Sequence, residues 1–162
     1  MKKEHILVAL VENKSGVLNQ ITSLFRKRRF NIESFNVGRT DDPRISRMTI
    51  VVDATATNVE QVIKQLYKII SVLKVSDVTG DQIVLRETIL VKVHAPAKVR
   101  AEIFPVADAF HAKIIDISVD SLIFELTATP EKSKSFLEIL RPFGIKEMVR
   151  SGMTAMSRGK KK

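Results

Sequence analysis

Residues of several types could do chemistry in this sequence, but their spacing assembles no catalytic centre. The three histidines, His5, His94 and His111, are far apart and show no metal-ligand spacing. The lack of cysteine excludes a thiolate nucleophile, a thiolate zinc site and a disulfide framework. Asp41 and Asp42 are adjacent acids before a proline, a pattern typical of a turn, and no glycine-rich phosphate-binding fingerprint occurs. We therefore predict no catalytic residue and no metal site.

The strongest local signal for binding is the segment 13–18, which reads Asn-Lys-Ser-Gly-Val-Leu. It follows an apolar, β-branched run and precedes apolar residues at helical spacing. The N–H groups at the start of such a helix can bind an anion, a carboxylate would suit them, and Gly16 lets the backbone come close. A second polar point is Asn31, at the start of the next predicted strand. Taken alone, both features are more typical of ordinary turns.

The elements that must position these residues follow from the hydrophobic pattern. Strands are predicted at 5–11, 31–37, 45–53 and 72–78, and helices at 17–29 and 59–70. Thr57 and Glu60 have the spacing of a capping box at the second helix. The order predicts a ferredoxin-like βαββαβ unit of the α+β class, with both helices on one face. Right-handed crossovers place the first and third strands at the sheet centre.

The same order of elements begins again after a short polar linker. The pattern predicts a strand at 83–94, a helix at 96–110, a hairpin over 112–127, a helix after Thr129 and a strand at 144–149. Pro105 predicts a kink or a restart in the first of these helices, and Pro130 suits the first turn of the second. The predicted domains are therefore residues 1–79, residues 83–157 and a basic tail at 158–162.

The net charge is compatible with an anionic partner, but the sequence does not favour a nucleic acid. The chain has 27 Lys and Arg against 18 Asp and Glu, a net charge of +9, with clusters at 26–29 and in the tail. An RNA-recognition motif needs aromatic residues on its two central strands, and the segments 6–11 and 48–52 have none. The tail is more typical of a solubilising segment than of a binding one. No apolar run is long enough for a signal peptide or a membrane span, so we expect a cytoplasmic protein without membrane contact.

Several segments together resemble the regulatory (small) subunit of acetolactate synthase, with an ACT domain in the first half. The motifs that carry the resemblance are Asn13-x-Ser15-Gly16-x-Leu18, Phe30-Asn31-Ile32-Glu33-Ser34, Thr40-Asp41-Asp42-Pro43, Ser46-Arg47-Met48-Thr49, Gln65-Leu66-x-Lys68, Arg86-Glu87, Ile114-Ile115-Asp116 and Arg150-Ser151-Gly152. They are distributed over nearly the whole chain and over both predicted units.

The resemblance implies a subunit with no active site of its own. Members of this family bind the large catalytic subunit, which carries thiamine diphosphate, Mg²⁺ and FAD. They raise its activity and make it sensitive to feedback inhibition by branched-chain amino acids, usually valine. They form homodimers through their ACT domains, and the effector lies at that interface. No cofactor is therefore expected in this chain.

The resemblance also implies an effector site. Its expected residues are Asn13, Ser15, Gly16, Val17, Leu18, Asn31 and Ile32, with main-chain N–H groups at the helix start for the effector's carboxylate and asparagine amides for its other polar groups. The sequence departs from the family at Arg29, where members commonly have a glycine that ends the first helix. A left-handed arginine there would cost roughly 1 kcal/mol.

Two other functions remain open from the sequence. One is a stand-alone amino-acid-sensing ACT protein or transcription regulator without an enzyme partner, although no helix-turn-helix segment is apparent. The other is a small ferredoxin-like enzyme, which the lack of an acid–base constellation disfavours. Copurification with a large thiamine-dependent subunit would separate the regulatory subunit from both.

Overall fold

The chain folds into two compact units, seen in a computed structural model that describes residues 4–53, 55 and 58–159. One unit contains the described chain up to Val84 together with the residues from Met153 onward, and the other is Leu85–Gly152. Each unit is built on a four-stranded antiparallel sheet with two α-helices, which confirms the predicted α+β class and the tandem ferredoxin-like architecture. The segment 153–157, predicted in the second domain, lies in the first unit, as do Arg158 and Gly159 of the predicted tail. Residues 160–162 lie outside the described chain.

The first unit has the predicted βαββαβ order. Its elements are β1 (Glu4–Glu12), α1 (Val17–Arg28), β2 (Ile32–Arg39), β3 (Ile45–Asp53), α2 (Val59–Leu66) and β4 (Val72–Asp77). The strand order β2-β3-β1-β4 puts the first and third strands at the centre, as predicted. The core lies between the sheet and the two helices, because alternate strand residues and one stripe of each helix are apolar. Its fully enclosed members include Leu7, Ile21, Phe25, Ile50 and Leu66.

Helix α2 ends one turn earlier than the apolar spacing predicts. It stops at Leu66, and Ile70, expected on its apolar face, is 97% exposed. Two tight turns follow the helix and lead the chain into β4, with the Ile69 N–H donating to the Leu66 carbonyl at 3.0 Å. At the other end, Asn58 caps the helix by accepting from the Glu60 N–H at 2.8 Å. The predicted cap, Thr57, lies outside the described residues.

The second face of the first unit's sheet is covered by the last strand of the chain. The Met153 N–H donates to Ser34 Oγ at 2.8 Å, the Ala155 N–H donates to Thr49 Oγ1 at 3.4 Å, and Arg47 Nη2 donates to the Ala155 carbonyl at 2.8 Å. Thr49, Val51 and Ala155 are at most 4% exposed. The centre of this sheet is therefore buried on both faces, although the six-element unit alone supplies helices for one face.

The second unit repeats the topology of the first. Its elements are β5 (Ile83–His94), α3 (Ala97–Phe110), β6 (Lys113–Ile117), β7 (Ser121–Ala128), α4 (Pro130–Leu140), a short 3₁₀ turn (Arg141–Phe143) and β8 (Ile145–Ser157), in the sheet order β6-β7-β5-β8. Helix α4 begins as predicted, with Thr129 as cap and Pro130 at the first position. Of the kink or restart predicted at Pro105, the restart is wrong, because helix α3 continues through this residue. Proline removes a single N–H from the helical ladder, and the packed residues Ile103 and Ala107 hold both sides of it.

Helix α1 ends on an arginine in the left-handed conformation. Arg29 has φ 55° and ψ 35°, and its N–H donates to the Arg26 and Phe25 carbonyls. The Phe30 N–H also returns to the Phe25 carbonyl, at 3.0 Å. This is a Schellman-type ending, which glycine normally provides because a Cβ is unfavourable at positive φ. The departure at Arg29 thus changes the residue and keeps the turn.

We expect Arg29→Gly to raise the free energy of unfolding by about 1 kcal/mol, because it removes the left-handed strain. Urea denaturation followed by circular dichroism measures this change. His111→Gly is the matched variant in the second unit, since His111 has φ 57° at the end of α3. Arg28→Gly, inside the helix, should lower stability by a similar amount. A loss of stability in Arg29→Gly would contradict the expectation.

Candidate functional site

The turn between β1 and α1 is fixed by Asn13. Its main-chain N–H donates to the Arg44 carbonyl at 2.7 Å, and its side-chain Nδ2 donates to the Pro43 carbonyl at 2.9 Å. The asparagine therefore ties the end of β1 to the loop between β2 and β3. Its amide nitrogen already has a partner inside the chain, so its first role is to shape the turn.

The loop that holds Asn13 is itself stabilised by an ion pair. Arg44 donates to Asp42 from Nε at 3.0 Å, from Nη2 at 2.8 Å and from its main-chain N–H at 2.9 Å. These hydrogen bonds lower the pKa of the Asp42 carboxyl from 3.8 to about 2. Because the folded-state pKa is lowered, the ion pair supports the loop at every pH above about 4 and is lost as the pH falls through about 2. The predicted turn at Asp42 is confirmed.

The start of α1 is exposed and carries no side-chain cap. Gly16 is the N-cap residue with φ 86°, and it makes no side-chain cap hydrogen bond. The first helical hydrogen bond runs from the Gln20 N–H to the Gly16 carbonyl at 2.9 Å. The N–H groups of Leu18 and Asn19 therefore have no acceptor within the helix. No acidic side chain lies in the first turn, so the positive end of the helix is not neutralised by its own sequence.

This geometry changes which main-chain groups can receive a carboxylate. The Val17 N–H, expected to take part, points back to the Lys14 carbonyl at 3.4 Å. Asn19, which is not among the predicted site residues, offers its N–H instead. The sequence could have indicated Asn19, because the N–H groups in the first turn of any helix lack acceptors within the helix, and Asn19 is the third residue after the cap.

The two apolar residues of the turn lie in different places. The side chain of Val17 is 4% exposed and packs in the core of the first unit, whereas Leu18 is 45% exposed. Leu18 can therefore contact a bound aliphatic group, and the Val17 side chain cannot. The half-buried Ile32 packs against the same core as Val17.

Asn31 lies at the opposite end of the sheet from Asn13. Its carbonyl accepts from the Asp53 N–H at 3.1 Å, and its Nδ2 donates to Glu33 Oε1 at 2.8 Å. The strand register pairs Asp53 with Glu4, the first residue of β1, whereas Asn13 follows the last residue of that nine-residue strand. At about 3.3 Å per residue, the two asparagines are about 25 Å apart. One copy of the chain therefore cannot bring both to the same small ligand.

No three acidic or histidine side chains among residues 4–53, 55 and 58–159 come together as a possible metal site. None of the helices within those ranges is both long and apolar enough to cross a membrane.

Comparisons with known proteins agree with the resemblance read from the motifs. A family model for the small subunit of acetolactate synthase matches residues 86–159, and a model for the ACT domain of such small subunits matches residues 7–74. The chain belongs to the acetolactate synthase small subunit family. The predicted family and the ACT domain in the first half are thereby confirmed.

Relatives of the small subunit family match over nearly their full length. The probable acetolactate synthase small subunit of Archaeoglobus fulgidus is 49% identical over 159 residues, which covers 98% of this chain and 99% of that protein. The small subunit of Bacillus subtilis is 46% identical, covering 96% and 91%. The crystal structure of the small subunit from Thermotoga maritima has a TM-score of 0.88 at 36% identity, covering 98% and 99%. The tandem fold is thus that of an acetolactate synthase small subunit.

Proposed function

We propose that this chain is the non-catalytic regulatory subunit of acetolactate synthase. It binds the large catalytic subunit, raises its activity and confers feedback inhibition by valine or another branched-chain amino acid. Thiamine diphosphate, Mg²⁺ and FAD belong to the large subunit in this proposal. The observation that carries it is the exposed, uncapped start of α1 beside Leu18, in an ACT unit of a family member.

The chemistry of that turn suits the two ends of an amino acid. The N–H groups of Leu18 and Asn19, with the positive end of the helix, favour the effector's carboxylate. The exposed part of Leu18 contacts its aliphatic side chain, and burial of an isopropyl group contributes about 1.5–3 kcal/mol. The Asn31 side chain, hydrogen-bonded to Glu33, provides polar acceptors for the ammonium group.

We further propose that the effector site is shared by two copies of the chain. The distance of about 25 Å between Asn13 and Asn31 supports this, because the length of β1 keeps the two residues of one copy too far apart to contact the same amino acid. Strand β2 is an edge strand of the first sheet, and such edges tend to pair with another strand. A homodimer through β2 would place the turn of one protomer near Asn31 of the partner subunit.

A mixture of two defective variants tests the shared site. Asn31→Ala removes a polar partner, so we expect the valine concentration for half-inhibition to rise about 5- to 150-fold. Gly16→Asp should abolish inhibition by valine because it damages the other half of the shared site. In mixed dimers one site is intact and the other is doubly defective, so part of the valine sensitivity should return. Failure of the mixture to recover any sensitivity, despite subunit exchange shown by mass spectrometry, would contradict a shared site.

Reconstitution with the cognate large subunit tests the proposed function as a whole. At a fixed concentration of large subunit, acetolactate formation should climb and saturate as this chain is added, then fall with valine. The chain alone should form none. A flat titration with a chain shown to be folded by circular dichroism would refute the proposal and favour a stand-alone amino-acid sensor. Leucine and isoleucine in parallel identify the effector.

A further inference from the structure

The positive charge of the chain is concentrated in the first unit. Residues 1–84 and 153–162 contain 17 Lys and Arg against 9 Asp and Glu, whereas residues 85–152 contain 10 against 9. Helix α1 has no acidic residue and ends on Arg26, Lys27 and Arg28. The second unit is nearly neutral, so electrostatic attraction favours the binding of an anionic partner to the first unit.

Four of these 17 basic residues line one groove between α1 and α2. The groove has a volume of about 730 Å³ and is here called the basic groove. Its lining residues are Glu12, Lys14, Gln20, Ser23, Leu24, Lys27, Arg28, Gln65, Lys68, Ile69, Ile70 and Ser71. Four cationic side chains thus line it, against a single carboxylate.

The pairing inside the groove leaves most of that charge uncompensated. Lys14 lies 3.0 Å from Glu12, and it lowers the pKa of that carboxyl by hydrogen bonding, so Glu12 stays ionised and neutralises Lys14. Arg28 donates to the neutral amide of Gln65 at 3.3 Å. Lys27 and Lys68 make no ion pair with a carboxylate in the part of the chain that the structure describes. The groove therefore carries three net positive charges.

Apolar surface accompanies the cations. Ile70 is 97% exposed at the groove, on the turn where α2 ends early. Leu24 and Ile69 are partly buried at its base, where they pack on the core of the first unit. An exposed aliphatic side chain bordered by charged groups gives an apolar anchor with a polar rim, an arrangement found in protein-binding patches.

We propose that the basic groove docks an acidic surface segment of the large catalytic subunit, with an apolar side chain of that segment against Ile70. This inference rests on the proposed function and names its contact surface. A second copy that docked through its own basic groove would bring like charges together, which disfavours a groove-to-groove contact. None of the residues that line the groove belongs to the edge strand β2. The groove therefore stays open in the proposed homodimer.

The basic groove shares structure with the effector turn. Lys14, which lies in the segment 13–18, lines the groove, and α1 forms one wall with Gln20 and Lys27. A movement of the first turn of α1 on effector binding would therefore displace a wall of the docking surface. By linkage, the effector and the large subunit then change each other's affinity.

Charge reversal in the groove, compared with a matched reversal outside it, tests the proposal. The groove variant is Lys27→Glu with Lys68→Glu. The control is Arg26→Glu with Lys64→Glu, which makes the same change in net charge on the first unit at two residues that do not line the groove. The measurement is the concentration of each chain that half-activates the cognate large subunit, at several salt concentrations, after circular dichroism shows a native fold.

The groove variant should need at least about tenfold more protein for half-activation, with a weaker salt dependence, while the control changes less than about twofold. Equal effects of the two variants would overturn the proposal, because affinity would then follow net charge alone. Activation by wild type with an unaffected groove variant would overturn the docking surface and leave the proposed function standing. No activation by wild type would overturn both. Titration of pyrophosphate into the chain alone tests whether the groove is a small-anion site instead. The proposal would be overturned if the chain bound pyrophosphate tightly and the groove variant lost this binding but still activated the large subunit normally.

Discussion

A Gly16→Asp variant should still activate the large subunit while valine no longer inhibits the complex. The introduced aspartate would place a carboxylate where the effector's own carboxylate binds, beside the N–H groups of Leu18 and Asn19. Repulsion between the two carboxylates should raise the half-inhibiting valine concentration about 100-fold, equivalent to about 2.7 kcal/mol. The measurement is inhibition by valine at a saturating concentration of the variant. Gly16 does not line the basic groove, so maximal activity should be retained.

The fold should tolerate this variant, because a Cβ at Gly16 has no neighbour within 4 Å. The cost is the positive φ of 86°, which aspartate bears better than most residues. Gly16→Ala reports that backbone cost without the charge, and Gly80→Asp adds the charge at a glycine with open space and no positive φ. Both controls should remain inhibited by valine. Normal inhibition of Gly16→Asp would place the effector elsewhere.

Removal of residues 153–162 should destabilise the first unit strongly. The truncation removes the three hydrogen bonds at Ser34, Thr49 and Arg47 and uncovers Val51, which is fully buried in the intact chain. Exposure of this apolar face, with the loss of satisfied polar groups, should lower the free energy of unfolding by about 2–4 kcal/mol. Urea denaturation gives the difference. Hydrogen exchange should locate the loss of protection in β1 and β3.

A shorter truncation provides the control for this prediction. Removal of residues 160–162 alone takes away three of the tail's charges and leaves Met153, Ala155 and the Arg158 N–H bonded to the Gln82 carbonyl at 2.8 Å. Its unfolding midpoint should match that of the full chain. If the longer truncation unfolds at the same urea concentration, the last strand contributes no stability to the sheet.

The repeated βαββαβ order was predictable from the sequence because its signals are local. Alternation with a period of two marks β3, and apolar residues every three or four positions mark α1. Thr129 and Pro130 begin α4 for reasons contained in a few neighbouring residues. The family could also be read from short motifs, since each one keeps its own spacing. The predicted length of helix α2 was too great, because Ile70 fits the apolar spacing of the helix but lies in the turns that follow it.

The placement of the candidate site was decided by tertiary structure alone. The family resemblance groups Asn13 and Asn31 in one effector site, and only the strand register shows that they lie at opposite ends of one sheet. The last strand is predicted as the close of the second unit, yet its end covers the first sheet, because Thr49 and Val51 need partners that residues far away in sequence supply. Val17 and Leu18 both fit the apolar spacing of α1. Only the packed structure shows that the Val17 side chain is buried and that Leu18 is exposed. Pairing across a sheet and burial under a distant strand depend on contacts between remote residues, which local periodicity does not encode.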